Sequence, residues 1–358
     1  TTAAPYTTTT LGAIGTFRQG DDYANNVAGA DARWRKGGHT VTAQLLHSQS
    51  EYPDNIVNLY KNDLGDDATP SGNAWRTEYR FSNRNWGFNA WHEDIDPGFR
   101  ADLGFIGMVG YDKSLVGGEH SWFRDGEAFD KINLYADWDI THRHDGQLLE
   151  REFEAQVSVN GPMQSFVRLH GMTRVAYWNG RLFDERYADI NANFRPNGSL
   201  QLGAYLQAGS MIDRGANKTG HRTMVELYGN ANVGRGLTMN WDVTRQQMKR
   251  DGGTAFTATL VNAGGSWQFD PRQRLRLTLQ GSEILRDAAL YPLPAPGQRP
   301  VNETARDWAA QLVYSYKINP RTALYAGASY GAFMDDDNPD LFGNTRSVFL
   351  KLSYGWQP

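Results

Sequence analysis

Residues 131–141 decide the fold, and they read Lys-Ile-Asn-Leu-Tyr-Ala-Asp-Trp-Asp-Ile-Thr. Apolar side chains occupy every second position from Ile132 to Ile140, and Asn, Tyr, Asp, Asp and Thr fill the positions between and after them. Because successive side chains of a β-strand point to opposite faces, this period of two predicts a strand with one apolar and one polar face. The same alternation recurs in residues 152–160, 200–208, 225–233, 237–244 and 274–280.

Two architectures produce such alternation. A water-soluble all-β protein turns its apolar face inward, whereas a membrane β-barrel turns it outward toward lipid. Many of the predicted strands are about 12 to 16 residues long, while strands of soluble proteins centre on about 5 to 6 and membrane strands need about 9 to 11. We therefore predict an all-β fold, a transmembrane antiparallel β-barrel of the outer-membrane type.

We predict about eighteen strands, with sixteen as the alternative count. They are 8–18, 23–36, 39–50, 73–85, 86–95, 106–124, 131–142, 148–160, 163–178, 182–195, 199–213, 219–233, 237–250, 254–269, 274–287, 306–318, 321–334 and 345–357. The last of them ends in an alternation that runs from Val348 to Trp356. Outer-membrane barrels are commonly recognised for insertion through a final strand of this kind.

The connections between the predicted strands alternate in length. Tight turns follow the even-numbered strands, and mostly longer loops follow the odd-numbered ones. The longest predicted loops are 51–72, 95–105, 288–305 and 335–344. This asymmetry is typical of outer-membrane barrels, which have short periplasmic turns and long extracellular loops. We expect residues 1–358 to form one such domain, with both termini on the periplasmic side.

The composition excludes several classes of protein. The 358 residues include no cysteine, which removes disulfides, cysteine-ligated zinc, iron–sulfur clusters and a cysteine nucleophile. No apolar run approaches the roughly 18 residues of a transmembrane helix. The 36 Lys and Arg residues against 40 Asp and Glu residues give a formal charge of −4 with no basic stripe, so we expect no nucleic-acid partner. We also expect no cofactor.

The chain resembles a family of bacterial outer-membrane β-barrels of uncharacterised function. The similar stretches are Pro-Gly-Phe-Arg-Ala-Asp-Leu-Gly-Phe-Ile at 97–106 followed by Asp112, residues 11–16 leading to 26–31, and residues 348–354. The resemblance implies a barrel that typically follows an N-terminal β-sandwich similar to family-9 carbohydrate-binding modules. That sandwich is absent here, and so are the hairpins expected before Thr7. If further chain precedes Thr1, the complete barrel could hold more than eighteen strands.

Charged and amide side chains on the polar faces of the predicted strands are the main functional candidates. We predict that they line a lumen and set its selectivity, because a barrel of sixteen or more strands leaves room for water or a plug. The predicted lumen-lining residues are Asp137, Asp139, Glu152, Glu154, Gln156, Gln207, Glu226, Asp242, Arg274, Arg276 and Lys317. The alternative is a lumen filled by a network of salt bridges that transports nothing.

Three segments carry weaker metal-ligand patterns. Asp335, Asp336, Asp337 and Asp340 crowd carboxylates into one loop, but without the interleaved spacing of an EF-hand. Residues 92–96, His-Glu-Asp-Ile-Asp, are a similar case. His142 and His144 would share one face of a strand. A solvated surface loop is the simpler interpretation of each segment.

The sequence favours a channel or porin-like protein in the outer membrane of a Gram-negative bacterium, passing a solute or polymer through its lumen. The alternative is a plugged barrel that anchors a periplasmic domain or joins an envelope assembly, with a glycan link implied by the family resemblance. An outer-membrane hydrolase is a weaker alternative, since no Gly-x-Ser-x-Gly motif occurs. The expected partners are outer-membrane lipid, lipopolysaccharide and a periplasmic or envelope protein.

Overall fold

The computed structural model describes residues 7–59, 67–124, 128–294, 296–297 and 299–355. These residues form eighteen β-strands, one short α-helix and one 3₁₀ turn at Ala288–Leu290. The helix α1 is Asp54–Leu59. The strands are β1 (Thr7–Gly20), β2 (Tyr23–Lys36), β3 (His39–Glu51), β4 (Ser71–Ser82), β5 (Trp86–Ile95), β6 (Tyr111–Phe123), β7 (Lys131–Arg143), β8 (Leu148–Gly161), β9 (Ser165–Trp178), β10 (Arg181–Asn197), β11 (Leu200–Asp213), β12 (Lys218–Val233), β13 (Leu237–Arg250), β14 (Gly253–Gln268), β15 (Gln273–Arg286), β16 (Thr304–Asn319), β17 (Thr322–Met334) and β18 (Phe342–Tyr354).

The strands belong to one sheet in which strands that are consecutive in the chain pair antiparallel. The chain forms two compact parts. The first part contains the described residues of 1–123, 132–157 and 172–183, and the second contains those of 124–131, 158–171 and 184–358. The prediction of a single domain over residues 1–358 stays a prediction.

The two faces of the sheet are inverted relative to a soluble protein. Along β7, Asp137 and Asp139 are 7% and 4% exposed, whereas Leu134 and Trp138 are 47% and 38% exposed. On β18 the apolar side chain of Leu350 is likewise exposed, at 75%. An outward apolar face with a buried polar face is the pattern of a strand that faces lipid on one side. We call the face that carries Asp137 and Asp139, with its counterpart in the second part, the polar face.

None of the helices in the described residues is long and apolar enough to cross a membrane.

The connections at the two ends of the strands differ in length. The long connections among the described strands are 52–70, 96–110, 287–303 and 335–341, and all of them follow odd-numbered strands. We call that side the long-loop end. Some odd-numbered strands are nevertheless followed by two-residue turns, such as Asn179-Gly180, where both residues have positive φ angles of 43° and 86°. Asn-Gly adopts this type I′ geometry readily, because both residues tolerate the left-handed region.

Several predicted boundaries are wrong by a few residues. The strand predicted at 106–124 begins only at Tyr111, because Gly110 has a φ of +73° and residues 96–110 pack as a loop. Strands β4, β16 and β18 begin at Ser71, Thr304 and Phe342, earlier than predicted, so parts of the loops predicted at 51–72, 288–305 and 335–344 are strand. Trp356, predicted to end the last strand, lies outside the described residues, as do residues 60–66 of the first long loop.

Candidate functional site on the polar face of the sheet

The most heavily charged part of the polar face lies on β6 to β9. Lys113 Nζ is 3.0 Å from Asp139 Oδ1 and 3.3 Å from Glu150 Oε1. Arg174 Nη1 is 3.3 Å from Glu150 Oε2 and 3.5 Å from Glu152 Oε2. Two cations therefore bridge three carboxylates of β7 and β8. Pairing of this kind offsets part of the cost of burying charged groups.

Further carboxylates continue this region toward the turn that follows β6. Asn133 Nδ2 donates to Glu119 Oε2 and to Ser121 Oγ, both at 3.0 Å. The hydroxyl of Tyr135 donates to the carboxylate of Asp137. We call the six acidic side chains of β6 to β8 on this face the acidic patch; they are Glu119, Asp137, Asp139, Glu150, Glu152 and Glu154. Carboxylates gathered in this way on one surface attract cations.

A basic patch lies on the same face, near the turn between β2 and β3. Arg33, Arg35 and Arg80 line a cavity of about 440 Å³ together with Glu78. Arg80 Nη2 is 2.7 Å from Glu78 Oε1, so the one carboxylate in this lining is already paired. The remaining guanidinium groups leave an excess of positive charge. The first part thus presents charge of both signs on its polar face.

The loop between β5 and β6 packs onto the polar face. We call residues 96–110 the docked loop. Phe99 is fully buried, and it packs against Val27 of β2 and Ala74 of β4. Leu46, Ile95 and Ala101 surround this contact. A side chain at Gly72 would meet the docked loop, because a Cβ there would lie 2.5 Å from the backbone nitrogen of Phe99. The surface of the strands therefore matches the docked loop in shape, and it has no room for a side chain at Gly72.

Hydrogen bonds from two fully buried polar side chains hold the docked loop. The backbone N–H of Arg100 donates to Ser48 Oγ at 2.8 Å. Asn25 Nδ2 donates to the carbonyl oxygen of Arg100 at 3.1 Å, and the backbone N–H of Asp102 donates to Asn25 Oδ1 at 3.0 Å. Asn25 and Ser48 are both 0% exposed. Each buried polar group therefore has a partner in the loop.

Asp102 completes the attachment of the docked loop. Its carboxylate accepts hydrogen bonds from the hydroxyls of Tyr23 and Tyr52. Burial, followed by the hydrogen bond to Asp102, raises the pKa of Tyr52 above its ordinary value. Tyr52 therefore stays protonated and remains a donor to Asp102 at any physiological pH.

The polar face of the second part carries a separate network. Asp189 of β10 is 4% exposed, and it accepts from Arg168 Nη2 at 3.0 Å and contacts His170 Nδ1 at 2.7 Å. Gln207 accepts from Arg222 of β12. Further along the sheet, Asn262 Nδ2 donates to Asp242 Oδ2 at 2.8 Å. Glu226 and Asp242 help to line a cavity of about 450 Å³ on this face, together with Asn191, Tyr205 and Tyr228.

The eleven predicted lumen-lining residues all fall on the polar face of the part to which they belong. Five of them lie on β7 and β8, where the alternation of side chains puts them on the polar face: Asp137, Asp139, Glu152, Glu154 and Gln156. The other six lie in the second part. Residues that face each other in neighbouring strands share one face of the sheet, and the strand registers from β11 to β17 thus place on the polar face Gln207, Glu226, Asp242, Arg274, Arg276 and Lys317. That they line an aqueous lumen stays a prediction.

Sequence reasoning missed several polar-face residues. Lys113 and Arg174 neutralise the acidic patch, and Asp189 centres the network of the second part. On β6 the alternation is broken, because Leu115 and Gly117 share the face of Lys113. The packing of the docked loop carries no local sequence signal either, since its partners on β2 to β4 lie at least about 25 residues away along the chain.

The acidic segment 335–340 does not gather its carboxylates on one point in the described contacts. Asp335 accepts from the side-chain amide of Asn338 at 2.9 Å and from its backbone N–H at 2.8 Å, and these hydrogen bonds, chiefly the one from the side chain, lower the pKa of Asp335. Asp336 accepts from the backbone N–H groups of Glu303 and Thr304, and Asp337 pairs with Arg299. These contacts join the last two long loops. The suggestion of a metal site formed by Asp335, Asp336, Asp337 and Asp340 stays untested.

No model of a known protein family matches this chain, and no curated protein does. Solved structures do resemble it. The copper transporter OprC is 8% identical with a TM-score of 0.56, over 99% of this chain and 65% of the transporter. The ferric-catecholate import receptor Fiu from E. coli K12 is 9% identical with a TM-score of 0.50, over 98% of this chain and 70% of the receptor. Pseudomonas aeruginosa OccK2 is 14% identical with a TM-score of 0.43, over 98% of this chain and 97% of OccK2.

The fold is therefore that of an outer-membrane protein, an antiparallel transmembrane β-barrel, as the sequence predicts. The chain spans 65% of the length of OprC, which is somewhat less than two thirds. At these identities the likeness concerns the fold alone.

Proposed function

We propose that this chain forms a channel in the outer membrane of a Gram-negative bacterium and passes a solute or polymer through a polar lumen. The observation that carries the proposal is the buried, charged polar face behind an exposed apolar face. A structural lumen without transport needs no excess of one charge. The acidic patch instead sets six carboxylates against Lys113 and Arg174, which favours the passage of cations.

Conductance in planar lipid bilayers tests this proposal. The folded chain should give stepwise ion currents with a preference for cations. Replacing Glu150 and Glu152 by glutamine should lower that preference, because charge on the path sets selectivity. The matched control is Asp184→Asn, an exposed residue of β10 on the opposite face, which should leave the reversal potential unchanged. Equal shifts from both changes would contradict a path along the acidic patch.

A second function is a plugged barrel that anchors a periplasmic domain or belongs to an envelope assembly. The specific observation in its favour is the docked loop, which places Phe99 and its neighbours on the polar face. This alternative predicts no current from the wild-type chain and currents after the loop is released. A chain that stays silent both as wild type and after release of the loop would overturn the channel proposal.

We also propose the partners that this location implies, which are outer-membrane lipid, lipopolysaccharide and a periplasmic or envelope protein. The family resemblance adds a link to glycans through a preceding sandwich domain. A hydrolase remains the weaker alternative, because OprC and Fiu carry transport names rather than enzyme names.

A further inference from the structure

Two histidine- and aspartate-bearing segments that are distant in the sequence meet at the long-loop end of the first part. Asp94 lies on β5, Asp96 directly follows β5, and His144 directly follows β7. One ligand atom from each residue lies within 4.8 Å of the other two. Within the described ranges, this is the one group of three or more such side chains that is close enough to share an ion. Strand register pairs Glu93 with Lys113 of the polar face, so the next residue, Asp94, lies on the opposite face.

Asp94 and His144 have the spacing of two ligands on one metal ion. Asp94 Oδ1 and His144 Nε2 are 3.3 Å apart, and both side chains are about 30% exposed or slightly less. Two bonds of about 2.0 to 2.1 Å that meet at a tetrahedral angle separate their donor atoms by about 3.3 Å. Asp94 and His144 could therefore hold an ion between them with little movement.

Neighbouring groups orient the other ligand atoms. Asp96 Oδ2 accepts from the backbone N–H of Asn73 at 2.7 Å and from Asn73 Nδ2 at 3.0 Å, which leaves Asp96 Oδ1 outside these hydrogen bonds. Asn73 Oδ1 in turn contacts His47 Nδ1 at 3.0 Å. The backbone N–H of His144 donates to the carbonyl oxygen of Gly110 at 3.0 Å. In metal sites, hydrogen bonds of this kind from surrounding groups orient the residues that bind the metal directly.

We propose that Asp94, Asp96 and His144 bind a divalent first-row transition-metal ion of the zinc type. Two carboxylates beside a neutral imidazole give a net charge that suits a dication. The imidazole selects against calcium and magnesium, which prefer oxygen ligands. Because Asp96 opens the docked loop, the ion would fasten that end of the loop to the connection after β7, and the hydrogen bond from the His144 backbone already holds the other end at Gly110.

The adjacent charged groups do not complete or compensate this site. His142 Nδ1 and Asp112 Oδ2 lie 3.9 Å apart and form a neighbouring pair. Arg143 Nη1 is 3.5 Å from Asp145 Oδ2, so the guanidinium that precedes His144 in the chain is paired with another carboxylate. Asp145 therefore offers a matched control: it has the same charge and follows His144 directly, but it is not one of the three ligands.

Isothermal titration of the folded chain in detergent with Zn²⁺ tests the proposal. We expect one bound ion per chain, and about tenfold or greater weakening in each of Asp94→Asn, Asp96→Asn and His144→Gln, since even outer-shell changes cost about 10-fold to 100-fold. Asp145→Asn should bind Zn²⁺ as the wild type does. Circular dichroism confirms that each variant retains its strands.

Competition on the wild-type chain gives a second result that does not depend on any variant. Excess Ca²⁺ or Mg²⁺ should leave the Zn²⁺ isotherm unchanged. Displacement of Zn²⁺ by either hard cation would overturn the assignment. So would an absence of binding, or binding that survives all three substitutions.

Discussion

Replacement of Phe99 by alanine should release the docked loop from the polar face. The Phe99 side chain is fully buried against Val27 and Ala74, so its removal forfeits apolar burial and leaves a cavity. Phe→Ala changes at such sites cost about 3 to 5 kcal/mol. The hydrogen bonds of Asn25 and Ser48 to the loop remain, so the change weakens docking without removing every contact. At about 1.4 kcal/mol per factor of ten, the undocked population should rise by roughly two to three and a half orders of magnitude.

A single cysteine can report this opening, because the chain contains no cysteine of its own. With Ala101→Cys as the reporter, the labelling rate by a water-soluble thiol reagent follows the undocked population when opening and closing are fast. The control is Phe105→Ala in the same loop, because Phe105 is 94% exposed and loses no buried contact. Labelling of the Phe99→Ala protein at the wild-type rate, or equal acceleration by Phe105→Ala, would refute the docking argument.

Three further predictions concern charge, topology and pH. Arg274→Glu combined with Arg276→Glu should increase cation preference in bilayer recordings, and an unchanged reversal potential would remove these side chains from the path. Cysteines at Val301, on the connection after β15, and at Asn319, at the end of β16, should label from opposite sides of the membrane, and labelling from one side would contradict the topology. The hydrogen bond from Lys218 lowers the pKa of Asp251 in the turn between β13 and β14. Because the folded chain favours the ionised carboxylate, this contact should stabilise the hairpin fully above the ordinary pKa of 3.8. The stabilisation should be lost as the pH falls below that value. Asp251→Asn should remove that pH dependence from the hydrogen exchange of the turn, and an unaltered profile would show that the contact is not formed.

The period of two in residues 131–141 and in similar segments was enough to predict the strands and the face on which their charges lie. One local rule governs both, since neighbouring side chains must point to opposite faces. Even where a boundary differs, as at Gln273, one residue before the predicted start of β15, the faces assigned to Arg274 and Arg276 hold. The prediction of strand faces is therefore more robust than the prediction of strand ends.

The tertiary contacts of the candidate site could not be predicted in the same way. Phe99 sits in the stretch that carries the family resemblance, but nothing in that stretch indicates that Asn25 and Ser48 provide its seat. The meeting of Asp94 with His144 depends likewise on the pairing of strands that are separated by a long loop. Contacts of this kind follow from register and loop packing, which period and composition do not specify.

The channel proposal requires that the polar face meets water while the alternate residues meet lipid. Single cysteines placed in turn at residues 133–139 of β7, with the protein reconstituted in liposomes, test that claim directly. A small water-soluble thiol reagent should modify positions 133, 135, 137 and 139, and it should spare 134, 136 and 138. Modification of the even-numbered positions instead, or of all positions equally, would contradict an outward apolar face and a water-filled polar interior.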